Sequence, residues 1–79
     1  MPQKKVKKIA SEIRKSVPEN IDDKEKVVQL LDDLESEDLS KLKKAIDVIP
    51  EFIAKFETEH PKLAESLNEI MVILSNMGI

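Results

Sequence analysis

From Leu39 onward the chain repeats large side chains every seven positions in two interleaved series. Leu39, Ile46, Ile53, His60, Leu67 and Leu74 form one; Leu42, Ile49, Phe56, Leu63, Ile70 and Met77 form the other. A heptad of this kind belongs to helices whose seam faces a partner surface, as in a coiled coil. Packing is therefore the main thing this sequence specifies.

Upstream, Val6, Ile9, Ala10 and Ile13 recur at three and four and predict a first helix over about Gln3 to Ser16. Val17 and Pro18 end it, because the residue before a proline is pushed out of the helical region. A second helix opens at Asp22 or Asp23, with Asp22 as N-cap and Glu25 closing a capping box, and its apolar face is Val27, Leu30, Leu31 and Leu34. That phase calls for apolar residues near 38 and 41. The chain instead supplies Asp38 and Lys41, and places Leu39 and Leu42 one residue late. The slip favours a break at Ser36 to Asp38, with Ser36 as cap and Glu37 and Asp38 in the first turn of a new helix. A continuous but distorted helix is the alternative.

The third segment runs to about Thr58 and contains Pro50, which predicts a kink. Glu59, His60 and Pro61 mark the next boundary, with Pro61 at the first helical position. The fourth helix spans about Pro61 to Asn76, with Gly78 free to turn left-handed beyond it. Its core face is Leu63, Leu67, Ile70, Leu74 and Met77, widened by Ala64 and Met71. Because the heptad phase survives His60 and Pro61, one long kinked rod is an alternative to a turn. The proline boundary and ordinary helix lengths favour the turn, which folds segments three and four into an antiparallel pair covered by the first two. The expectation is one all-α domain over 1–79, a small antiparallel bundle of three to four helices that dimerisation can complete.

Composition agrees: one Gly, no Trp or Tyr, and many Leu, Lys, Glu and Ile residues favour helix over strand. Seventy-nine residues make a thin core, since so short a chain buries only about 60% of its unfolded surface. With no cysteine, there is neither a disulfide staple nor thiolate chemistry. No run of eighteen apolar residues and no secretory pattern occurs, so a cytoplasmic protein is the default expectation.

Charge is uneven. Residues 1–15 carry a balance of +5 and the remainder −8, within a net −3. Lys4, Lys5, Lys7 and Lys8 on the basic first helix could meet an anionic membrane surface, nucleic acid or an acidic partner. Attraction to the acidic body of the same chain is the plainer explanation, because the apolar stripe is narrow and has no Trp or Phe anchor. Nucleic acid and membrane are both disfavoured as partners, and the acidic body would repel a phosphate backbone.

Chemistry-bearing motifs are sparse. His60 lies near Glu57 and Glu59, yet one imidazole without a second ligand cluster reads as a helix-boundary residue. Asp22, Asp23, Asp32 and Asp33 lack calcium-loop spacing. No catalytic, metal-binding or cofactor-binding residue, no cofactor and no small-molecule substrate is indicated, and an enzyme is not expected. Phe52 and Phe56, four apart, read as core filling. Val28 and Val72 lie beside the main stripes, and Val72, Ile73 and Leu74 run together, so surplus apolar surface there suits a homodimer face.

The stretch FETEHPKLAESLNEIMVILSNMGI, from Phe56 to Ile79, resembles the closing motif of a family of small bacterial proteins called domain of unknown function 4404. The matching residues are Phe56, Glu57, His60, Pro61, Leu63, Asn68, Asn76, Met77, Gly78 and Ile79. The resemblance implies a helix boundary at His60–Pro61, a packed or recognised C-terminal end, and no catalytic role. At that end Ile79 either inserts into a neighbouring groove or closes the bundle with Met77. The leading functional expectation is a self-associating or adaptor-like module using Leu39, Leu42, Ile46, Ile49, Ile53, Phe56, Leu63, Leu67, Ile70, Leu74 and Met77. The runner-up docks Lys4, Lys5, Lys7 and Lys8 on an anionic surface or partner.

Overall fold

A computed structural model of the chain describes residues 2–79. Among them are four helices and no strand: α1 (Pro2–Ser16), α2 (Lys24–Leu34), α3 (Leu39–Phe56) and α4 (Pro61–Asn76). Each helix packs against two others. α1 touches α2 and α4, α3 touches α2 and α4, and the pairs α1/α3 and α2/α4 lie diagonally across the bundle. The result is a compact all-helical globule of 32 × 18 × 18 Å.

The core follows from one apolar stripe per helix. α1 buries Val6, Ile9, Ala10 and Ile13; α2 buries Val27, Leu30, Leu31 and Leu34; α4 buries Ala64, Leu67, Ile70 and Leu74. Periodicity predicts these positions, but on α4 it also put Leu63, Met71 and Met77 in the core, and these are only half-buried against it. Burying each large member stabilises the fold by about 1.5–3 kcal/mol relative to exposure, which ordering the chain largely offsets. In α3 the stripe is turned from the heptad phase. Leu42, Ala45, Ile49 and Phe56 are buried, whereas Ile46 and Ile53 are half-buried and Leu39 is 56% exposed. Ala45 is fully buried in the middle of that stripe, and so small a residue leaves little trace among large apolar positions.

The breaks have local causes. At the end of α1 the Ser16 hydroxyl donates to the carbonyls of Glu12 and Ile13, and the chain turns through Pro18 to bury Ile21 at the bundle end. The expected Asp22 cap with Glu25 is corrected by the structure. The N-cap of α2 is Asp23, held left-handed at φ 55°, and its side chain makes no cap hydrogen bond. Its carboxylate is instead taken by Lys55 of α3, and an Asp tolerates that backbone region better than most residues. The break after α2 is present, but its cap is not Ser36. Asp38 caps α3, accepting from the Ser40 amide at 2.9 Å and the Ser40 hydroxyl at 2.7 Å. Ser36 accepts the Asp38 amide at 3.0 Å and so fixes the approach to that cap. Glu37 and Asp38 therefore precede the first helical turn.

α3 runs unbroken through Pro50. Proline removes the N–H that would bond the Ile46 carbonyl, a loss tolerated because Pro50 is on the exposed side of the helix, where water can take that carbonyl. The chain then turns at Glu57 to His60, where the His60 amide donates to the Phe56 carbonyl at 2.7 Å. α4 starts on Pro61, as the missing N–H allows at a first turn. The two helices thus form a pair rather than one rod. Gly78, at φ 78°, ends α4 in the left-handed conformation.

A candidate interaction surface

The flanks of α3 and α4 determine which side chains face outward. Lys44, Val48, Glu51 and Phe52 line the cleft between α3 and α2. Lys62, Leu63, Ser66 and Glu69 line the clefts between α4 and α1. The opposite flank of each helix therefore borders the α3/α4 side of the bundle, since residues three and four apart share a helical face. On α3 that flank is Leu39, Lys43, Ile46, Pro50, Ile53 and Glu57; on α4 it is Pro61, Glu65, Asn68, Val72 and Ser75. Leu39 at 56% and Val72 at 49% are the exposed large apolar residues of the described chain, and both belong to these two stripes.

Ion pairs occupy other sides. Lys7 binds Glu37 at 2.8 Å, and the Arg14 guanidinium reaches Asp32 at 2.7 Å and Glu35 at 2.6 Å, stitching α1 to α2 and its following loop. Lys55 and Asp23 join α3 to the start of α2. Among the described residues no ion pair bridges α3 and α4. Hydrogen bonds from Lys7 and Lys55 lower the Glu37 and Asp23 pKa values, and the bonds from Ser40 lower that of Asp38. The Asp32 and Glu35 carboxylates raise that of Arg14.

The residues expected at an interface divide by burial. Leu42, Ile49, Phe56, Leu67, Ile70 and Leu74 are buried within the chain itself. Ile46, Ile53, Leu63 and Met77 are half-buried against that core, and Leu39 stands out from it. Of the basic residues on α1, Lys4, Lys5 and Lys8 are exposed and make no ion pair among the described residues, whereas Lys7 is drawn in by Glu37. Lys4, Lys5 and Lys8 share a shallow cleft with Glu12 and Glu69, so acidic side chains already temper that patch.

His60 is a boundary residue in the structure. It is half-buried and stands edge-on to Phe56 with ring centroids 5.8 Å apart, and Phe56 stacks in turn on Phe52 at 6.0 Å. His60, Pro61, Lys62 and Leu63 line an open, mostly apolar cleft with Ser16, Val17 and Pro18. Ile79 and Met77, beyond the other end of α4, are half-buried against the core. Among the described residues no side-chain polar or charged residue is buried, and no group of three or more His, Cys, Asp or Glu residues is placed to hold a metal ion. No described helix is long and apolar enough to cross a membrane.

Sequence reasoning singled out Val72 as surplus apolar surface. It did not single out Lys43 or Pro50 as part of an exposed face of α3, where both are exposed. The signal lies in the second periodic stripe, 39, 43, 46, 50, 53 and 57, which a search centred on the core series passes over.

A family model described as "Domain of unknown function (DUF4404)" matches residues 3–79. The match extends through α1, α2 and α3, well beyond the C-terminal stretch in which the resemblance is legible by eye. Comparisons with curated proteins and with solved structures give no match.

Proposed function

We propose that this chain, which belongs to the family described as a domain of unknown function (DUF4404), is a protein-interaction module that associates with itself. One observation carries the reading. The four core stripes satisfy one another within a single chain, yet Leu39 and Val72 stay exposed on two adjoining helices that no ion pair crosses among the described residues. Two large apolar side chains on one side of so small a bundle favour burial against another surface. A thin core gains further stability from association, because every bound partner lowers the free energy of the folded state alone.

Light scattering across about a hundredfold concentration range, at low and high salt, tests this. A mass that rises from 9.0 kDa toward twice that value with concentration, and that changes little with salt, supports an apolar self-interface. A constant 9.0 kDa mass at every concentration refutes it.

The second reading rests on Lys4, Lys5 and Lys8, exposed and free of ion pairs among the described residues. An anionic partner on this patch would bind with a steep salt dependence and would be lost when the three lysines become Glu. Glu12 and Glu69 in the same cleft weaken the patch, which places this reading second.

A further inference from the structure

The outer stripe of α3 carries opposite charges toward its two ends. Lys43 stands toward one end and Glu57 toward the other, fourteen positions apart, and Pro50 lies midway between them. At 1.5 Å per residue the two charges are separated by about 21 Å along the helix. Reversing α3 about Pro50 puts Lys43 opposite Glu57, Ile46 opposite Ala54 and Ile53 opposite Asp47, while Leu39 reaches beyond the end of the partner helix. Ile46 and Ile53 are half-buried and the other positions are exposed, and neither Lys43 nor Glu57 has an ion-pair partner among the described residues.

We infer that the α3/α4 side is an isologous interface for a second copy of this chain, with α3 antiparallel to its counterpart about Pro50 and Lys43 of each copy paired with the partner's Glu57. This rests on the self-association reading and gives it a place and a register. A two-fold interface must be self-complementary, so each residue contact occurs twice. A partner of uniform charge would meet repulsion at one end of the stripe, whereas a reversed copy meets attraction at both. Size agrees as well. The side of a bundle 32 Å long and 18 Å wide is near what a standard interface of about 800 Å² per partner covers once side-chain relief is included. The exposed apolar residues would supply burial, and the two charge pairs would fix register and orientation.

Sedimentation equilibrium on the full chain and four variants tests the inference, with circular dichroism confirming that each variant keeps its helix content. The variants are Lys43→Glu, Glu57→Lys, the double exchange, and Val72→Glu. Each single charge reversal is expected to weaken the dimer about fivefold to tenfold, because two cross-pairs are lost per dimer. The double exchange should return affinity to within about twofold of the original, as each pair is restored with its signs reversed. Val72→Glu should abolish association without unfolding a monomer in which that side chain is exposed. A dimer indifferent to all four variants leaves self-association intact and overturns this interface. Single variants that weaken the dimer with no rescue by the double exchange overturn the antiparallel register. A chain that is monomeric before any substitution refutes the self-association reading itself.

Discussion

Leu39 and Ile49 are both apolar heptad residues of α3, and sequence periodicity gives them equal standing. Their surroundings differ: Ile49 is fully buried and Leu39 is 56% exposed. Truncating Ile49 to Ala removes three buried carbons and leaves a cavity beside Ala45 and the facing stripes of α2 and α4. Buried Ile-to-Ala changes cost about 2–5 kcal/mol, and we expect about 3 kcal/mol here. Leu39→Ala removes a side chain with less than half of its surface covered, so of the roughly 1.5–3 kcal/mol that full burial supplies at most about 1 kcal/mol is lost. The better helix propensity of Ala offsets part of that. A domain of this length has a total stability of about 4–12 kcal/mol, so Ile49→Ala removes a large share and Leu39→Ala a small one. In thermal unfolding, at about 4–8 °C per kcal/mol, the midpoints should fall by about 12–24 °C and by no more than about 8 °C respectively. The scans belong at a concentration low enough for the monomer to dominate, because association adds to apparent stability. Equal losses for the two variants would refute the assignment of the α3 core stripe to Leu42, Ala45, Ile49 and Phe56.

Three further outcomes follow from the surface and the caps. The pKa values of Asp23, Glu37 and Asp38 are all lowered from ordinary values of 3.8, 4.5 and 3.8. The folded chain therefore binds fewer protons than the unfolded chain in acid. Stability should be level from neutrality down to about pH 5 and should fall as pH drops through the carboxylate range, as read by urea midpoints at each pH. Arg14→Ala severs the contacts to Asp32 and Glu35 together; because these groups are substantially exposed, the loss should be about 1 kcal/mol or less and should shrink in high salt. Asp38→Ala removes the α3 cap and should lower the urea unfolding midpoint, with Asp38→Asn recovering most of the loss.

The positions of the helices were legible because their apolar stripes repeat at three and four and because prolines punctuate the chain at Pro18 and Pro61. The break between α2 and α3 was legible in the one-residue slip of phase at Leu39. The caps were less so. Asp22, Asp23, Ser36 and Asp38 are all competent capping residues, and the choice among them depends on tertiary partners: Lys55 draws the Asp23 carboxylate away, and Ser36 fixes the approach to Asp38. The rotation of α3 was hidden for a related reason. Two stripes of comparable hydrophobicity, 42/49/56 and 39/46/53, lie on adjoining faces, and small Ala45 decides which one centres on the core. The outer stripes of α3 and α4 were only partly visible, since exposure of Val72 depends on how α4 sits between α1 and α3. The separation of basic and acidic halves had a structural counterpart in the Lys7 and Arg14 ion pairs, whose partners in and after α2 are far away in sequence.

The most direct test of the proposed α3/α4 self-interface is a dilution series of two-dimensional amide NMR spectra on the isotope-labelled chain. Association through that side should move signals from the exposed stripes around Leu39, Lys43, Ala54, Glu57, Asn68 and Val72 with concentration, while the exposed face of α1 around Lys4 and Lys8 stays unchanged. Spectra that are identical at every concentration, or shifts confined to α1, would contradict it.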